Sequence, residues 1–284
     1  MADESTVTGI HHVGLSVADL DRAVAFYQGA TGLEAAAPAD ERAGVAVLEG
    51  PNGRLRLTER SSAGAQPPVM PVEGPGITHV CYQSATVDDL YGRFQRVGST
   101  PVSRGTEPVD LGGYGVYYVY ARDLDGIMFE VEHIDGADFD AGYRFAHVAL
   151  ASSDLDALVG FYELLLGREP YRRSDDIQGL QFDRVAGIDG VHLRAAWFET
   201  GNMVLELWQY LHPAPVAPAH PPSLDRIGYD SIVFAVDDLP REVDRLVDHG
   251  VVFDELPTES DRGLWAQTRD PDGNPIRLVQ DGRA

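Results

Sequence analysis

The stretch Gly9-Ile-His-His-Val-Gly-Leu-Ser-Val17 decides the reading of this chain, because its pattern returns three more times. Gly76-Ile-Thr-His-Val-Cys-Tyr82, Arg144-Phe-Ala-His-Val-Ala-Leu150 and Gly228-Tyr-Asp-Ser-Ile-Val-Phe-Ala-Val236 open later segments in the same way. Each is a short run rich in apolar and β-branched residues, which predicts a strand. Similarity at four places in one chain predicts a repeated structural unit.

Each opening strand leads into an amphipathic segment that starts on aspartate and ends on glycine: Asp19 to Gly32, Asp88 to Gly98, Asp154 to Gly167 and Asp237 to Gly250. An Asp carboxylate accepts a hydrogen bond from an unpaired amide of the first turn, and Gly tolerates the left-handed position after the last. Leu20, Ala23, Val24 and Tyr27 recur at helical spacing, as do Leu155, Leu158, Val159 and Tyr162. These stripes predict helices packed on a core. About three strands follow each helix. The last are Arg54-Leu-Arg-Leu-Thr58, Ile127-Met-Phe-Glu-Val131, Met203-Val-Leu-Glu-Leu207 and Pro275-Ile-Arg-Leu-Val279. Tight turns at Asp123-Leu-Asp-Gly126 and Asp270-Pro-Asp-Gly-Asn274 precede two of them, with Gly supplying a positive φ. The unit is therefore βαβββ, at about 8–60, 76–133, 144–210 and 228–281. Connections from Ser61 to Pro75 and from His212 to Arg226 are rich in Pro, Ala and Ser.

Composition narrows the chemistry. The 284 residues carry 45 acidic and 22 basic side chains, and all the basic ones are arginine. Without lysine, Schiff-base catalysis, a pyridoxal-phosphate lysine and a P-loop lysine are excluded. A formal charge of −23 repels nucleic-acid backbones and anionic lipid, so neither is expected as a partner. The acidic start Met1-Ala-Asp-Glu-Ser-Thr does not read as a signal peptide, and no apolar run reaches the ~18 residues of a membrane span. A cytoplasmic protein, monomeric or homodimeric, is expected. Cys81 is the single cysteine, so a metal would need His and carboxylate ligands.

A His-Val strand, an Asp-led helix containing Phe-Tyr and a closing Asp-x-Asp-Gly strand resemble the vicinal oxygen chelate superfamily, from about residue 8 to 281. Glyoxalase I, methylmalonyl-CoA epimerase, extradiol dioxygenases and bleomycin resistance proteins belong to it. The resemblance implies an α+β fold in which four βαβββ modules pair into two curved, eight-stranded mixed-sheet cups. It also implies an N-terminal glyoxalase-like domain over 1–136 and a C-terminal one over 137–284. First and last strands of each module would supply ligands to a divalent metal.

A strand delivers side chains to one face only at alternate positions. Phe129 and Val131, and likewise Leu205 and Leu207, form the apolar set that meets the helices, which turns Glu130 and Glu206 into the cup. In module one the same parity puts Arg56 at the carboxylate position. Module four carries Asp230 at the histidine position and Arg277 at the carboxylate position. Two His/Glu pairs stay complete, His79 with Glu130 and His147 with Glu206. His12 reads equally as a ligand or a relic. His11, His133, His192, His212, His220 and His249 read as solvated or structural, and Cys81 as a small buried thiol.

Pairing of the modules selects the site. If two pairs with three, His79, Glu130, His147 and Glu206 form one four-ligand set, and the outer cup keeps Arg56 and Arg277. If one pairs with two, the set is His12, His79 and Glu130. Loss of carboxylates in both outer modules favours the first arrangement. Trp208 would line the substrate pocket, with Arg56 and Arg277 as weaker candidates for an anionic group. The leading functional reading is a metal-dependent lyase or isomerase that transfers a proton on a small substrate chelated through adjacent oxygens. Glu130 or Glu206 is the base, and Ni, Co or Zn the metal. The alternatives are an Fe(II)-dependent extradiol-type dioxygenase and a non-catalytic drug-binding protein.

Overall fold

The computed structural model describes residues 4–36, 44–60, 70–105, 107–215, 226–260 and 263–282. The central parts of the two long connections, and His220 with them, lie outside these residues. Module one comprises β1 (Val7–Val17), α1 (Leu20–Thr31), β2 (Glu34–Ala35), β3 (Val45–Glu49) and β4 (Arg54–Glu59). Module two runs through β5 (Gly76–Ala85), α2 (Leu90–Arg96), β6 (Thr100–Pro101), β7 (Val109–Asp110), β8 (Val116–Arg122) and β9 (Met128–Ile134). Module three holds β10 (Tyr143–Ala151), α3 (Leu155–Leu166), β11 (Arg172–Gln178), α4 (Leu180–Ala186), β12 (His192–Glu199) and β13 (Val204–His212). Module four closes the chain with β14 (Gly228–Val236), α5 (Leu239–Asp248), β15 (Phe253–Ser260), β16 (Gly263–Arg269) and β17 (Pro275–Asp281). No helix among the described residues is long and apolar enough to cross a membrane.

Helix starts follow the aspartates with two adjustments. Asp19 and Asp154 accept hydrogen bonds from the amides of Arg22 and Ala157, and Gly32 and Gly167 take the left-handed conformation after α1 and α3. In module four the cap is Asp238, one residue later than Asp237, and it accepts from Arg241 N. In module two Asp88 ends a single 3-10 turn, and α2 starts at Leu90 with no side-chain cap.

The modules pair across the chain. β1 lies antiparallel to β14, and β5 antiparallel to β10. One sheet therefore joins modules one and four, in the order β15-β16-β17-β14-β1-β4-β3-β2. The other joins modules two and three, in the order β11-β12-β13-β10-β5-β9-β8-β6, with β7 added on β8. This second sheet has nine strands rather than eight because the loop before β8 folds back on it. There the Asp110 carboxylate gathers the amides of Gly112, Gly113, Tyr114 and Gly115. The added helix α4 is framed by Gly179 at φ 133° and Gly187 at φ 73°.

Helices tie together the modules that the sheets separate. Tyr27 of α1 donates to Asp123 in the turn of module two at 2.8 Å, and Tyr162 of α3 donates to Asp270 in the turn of module four at 3.3 Å. The Phe-Tyr and Asp-x-Asp-Gly motifs are thus partners across neighbouring modules. Phe26, Phe94, Phe129, Tyr82 and Phe145 fill the main core between sheets and helices. The opposite faces of the sheets are left to form the cups.

Candidate metal centre

Strand register aligns the two sheets position by position. In the inner sheet Cys81 faces His147 and Glu130, while Ala149 faces His79 and Glu206. In the outer sheet Gly14 faces Ser231 and Arg56, while Val233 faces His12 and Arg277. The equivalents of His79, Glu130, His147 and Glu206 are therefore His12, Arg56, Ser231 and Arg277. Ser231, not Asp230, stands at the histidine position. Asp230 is the extra residue of a β-bulge between Gly14 and Leu15, and this bulge turns its side chain into the cup.

The structure brings His79, Glu130, His147 and Glu206 together, all buried, with one potential ligand atom from each within 4.8 Å of the others. The two Nε2 atoms are 3.2 Å apart. Glu130 Oε2 lies 3.2 Å from His79 Nε2 and 2.8 Å from His147 Nε2, and Glu206 Oε2 lies 3.2 Å from His147 Nε2. That last approach lacks hydrogen-bond geometry, which leaves Glu206 Oε2 a buried acceptor without a partner.

Neighbouring groups aim these atoms inward. Thr78 Oγ1 donates to Ala149 O at 3.2 Å, so toward His79 Nδ1, 3.0 Å away, it acts as acceptor. This fixes the proton on Nδ1 and leaves the Nε2 lone pair facing the cluster. Trp197 Nε1 donates to Glu206 Oε1, which presents Oε2 to the others. Such outer contacts are what orient metal ligands.

Donors bound at ~2.1 Å around one ion stand roughly 3.0–3.4 Å apart, close to the separations found here. A buried carboxylate oxygen with no proton donor, and two ring nitrogens that face each other, are unfavourable unless a cation sits between them. The residues fit a divalent ion with mixed nitrogen and oxygen ligands.

In this cluster a proton does part of the cation's work. Burial favours the neutral imidazole of His147, but the charges of Glu206, Glu130 and Glu132 outweigh it and push the group up to about 10. Burial likewise works against the charge on Glu130, yet the hydrogen bond from His147 and the charge of that ring outweigh it and hold the group at about 2. A metal needs the unprotonated Nε2, so binding near neutrality is expected to release about one proton, and affinity to fall about tenfold for each pH unit of acidification. Calorimetry in buffers of different ionisation enthalpy measures this directly. Metal uptake without proton release would contradict the assignment.

Above the cluster opens a cavity of about 620 Å³. Glu130, Glu206 and His147 form its floor, and Trp208, Trp197, Tyr118, Tyr120 and Tyr210 stand in its walls. Glu132 joins the floor, 4.0 Å from His147 Nδ1 and bonded to Gln83 Nε2. Its parity with Glu130 was visible in the sequence. Trp197 could not be found that way, since its place opposite Glu206 depends on the β12–β13 register. Cys81 is buried between Glu130 and His147, and burial pushes its thiol up.

His12, Arg56 and Arg277 lie in the other cup, apart from His79 and Glu130. Burial, then His11 and the arginines Arg56, Arg277 and Arg54, push His12 well down. Arg277 stacks on Trp265 and donates to Gln267, and Arg56 donates to Thr58. Asp230, bonded by Ser16 and Ser231, supplies the nearby negative charge. The remaining histidines among the described residues have structural contacts: His11 with His12 and Asp281, His133 with Ser84, His192 with Asp176, His212 with Gly190 O and His249 with Arg245 O.

The chain belongs to the Glyoxalase/Bleomycin resistance protein/Dioxygenase superfamily, whose sequence pattern it matches over residues 9–131 and 144–278. Members of this group use divalent metals and act on small molecules. Ethylmalonyl-CoA/methylmalonyl-CoA epimerase of Cereibacter sphaeroides is 28% identical over 130 residues, 44% of this chain and 97% of that protein. The human mitochondrial methylmalonyl-CoA epimerase is 25% identical over 131 residues, 43% of this chain and 72% of that protein. In fold the chain is similar to glyoxalase I from Zea mays, with a TM-score of 0.71 and 21% identity over 96% of this chain and 92% of that one.

Proposed function

We propose that the protein is a metal-dependent lyase or isomerase that moves a proton on a carbon next to a carbonyl of a small, oxygen-chelating substrate. One observation carries the reading: two histidines and two glutamates, complete and buried, converge on one point, and three of them, Glu130, His147 and Glu206, line the floor of the cavity. The similarity to epimerases, which move a proton of this kind, supports it.

His79, Glu130, His147 and Glu206 would hold the ion, for which nickel, cobalt or zinc suits the nitrogen and oxygen donors. When bound, it supplies Lewis acidity that makes a neighbouring C–H bond acidic. Glu130 is anchored by both histidines. Glu206 is held through Oε1 only, and its Oε2 has no hydrogen bond, so Glu206 is the carboxylate free to take the proton. Trp197 keeps it in reach as it does so. The walls exclude water from the exchanging proton.

The dioxygenase alternative required His12 beside His79 and Glu130, and the strand pairing gives it no support. The test is deuterium incorporation from D₂O into 2-hydroxyacetophenone, which carries adjacent oxygens, and into methylmalonyl-CoA. Exchange should depend on nickel, cobalt or zinc and vanish in Glu206→Gln. No exchange on either compound, with Fe(II)-dependent oxygen uptake on catechol instead, would overturn the proposal.

A further inference from the structure

The cavity says more about its occupant than the reaction does. Its walls are aromatic on several sides: Tyr118 and Tyr120 from β8, Trp197 from β12, and Trp208 and Tyr210 from β13. The two indoles meet edge to face, with centroids 6.1 Å apart at 71°. These rings lie outside the main core, on the opposite face of the sheet from Phe129, Leu205 and Leu207, where Tyr118, Tyr120, Trp208 and Tyr210 pack in a smaller apolar cluster that borders the cavity. A cavity of about 620 Å³ is within the usual range for a compact organic ligand, far beyond what a three-carbon chelator fills.

Charge gives a second constraint. Away from the floor, the charged residues lining the cavity are Arg144, Arg172 and Asp110. Arg172 lies 4.6 Å over the Trp197 ring, and Arg144 is bonded to Gln83 and lies over Phe139. Asp110 is committed to four backbone amides of its own loop. Two cations against one anion provide little for the several phosphate charges of a nucleotide tail, on a protein that already carries −23. The tyrosines also stay neutral. Burial and the carboxylates of Glu132 and Glu130 push Tyr118 up, and burial does the same at Tyr120 and Tyr210.

We infer that the substrate is a compact, arene-bearing chelator: its adjacent oxygens reach the His79/Glu130/His147/Glu206 floor while its ring stacks among Trp208, Tyr118 and Tyr120. Aromatic pairs at offset or edge-on geometry gain stability beyond the area they bury. The inference rests on the proposed metal site, and its test separates the two.

Metal stoichiometry of nickel-loaded protein is measured first, and a protein that holds no nickel fails the metal reading itself. Mandelate and lactate are then titrated by calorimetry. They share the same hydroxy-carboxylate and differ in a phenyl against a methyl group. Mandelate should bind at least about tenfold tighter. Trp208→Ala should bring the two affinities to within about threefold by weakening mandelate alone, with nickel content unchanged. Should that variant fold poorly, Tyr118→Ala serves in its place with the same expectation. Equal binding of the two acids, binding of neither to the loaded protein, or tighter binding of malonyl-CoA than of mandelate would each overturn the inference.

Discussion

Glu130→Gln is expected to leave a folded protein that no longer retains metal after dialysis and has lost its proton-transfer activity. Glutamine keeps the shape of the side chain, so the packing around Phe129 and Val131 is undisturbed. The negative charge shared by His79 and His147 is gone. Glu130 Oε2 lies 3.2 and 2.8 Å from the two Nε2 atoms, and its replacement by a neutral amide removes the anion that both rings face. Affinity should fall by roughly 100-fold or more, since even outer-sphere changes at metal sites cost 10–100-fold. His79→Ala should do the same by deleting a nitrogen ligand. Elemental analysis alongside circular dichroism checks both. Full metal content in either folded variant would remove these residues from the site.

The second large effect is a contrast among four variants. His147→Ala and Glu206→Ala should each lose metal and turnover, whereas His12→Ala should keep both near wild type and Arg277→Ala should gain no strong site. The reason lies in register. His147 and Glu206 reach the same point as His79 and Glu130 because β5 and β10 are paired at the centre of one sheet. The corresponding point in the other sheet carries His12, Ser231 and two arginines. A divalent cation there would meet two guanidinium charges where it needs carboxylates, and repulsion over such distances at low dielectric far exceeds what one neutral imidazole returns. Metal lost in His12→Ala but kept in Glu206→Ala would restore the His12, His79 and Glu130 set and with it ring-cleaving chemistry.

Much of this was written in the chain itself. The fourfold opening, the capping aspartates of α1 and α3 and the alternation of Phe129 and Val131 against Glu130 determine the βαβββ unit and the face its ligands share. Those are local properties, fixed by helical periodicity, strand parity and turn chemistry, so they are legible without knowing what packs where. The matched replacement of carboxylates by Arg56 and Arg277 even pointed to the inner modules. The tertiary structure decided the rest, because contacts between strands distant in sequence depend on how whole sheets dock. It paired β5 with β10 and β1 with β14, while Tyr27–Asp123 and Tyr162–Asp270 tie a helix of one module to the turn of the next. It turned Asp230 inward on a bulge, while Ser231 stands at the histidine position, where the fourth residue of each repeat opening already places it. It also set Trp197 opposite Glu206 and gathered tyrosines and tryptophans from separate strands into one cavity. Only closing the sheet around the cluster turns four scattered residues into a place where a metal and a substrate can meet.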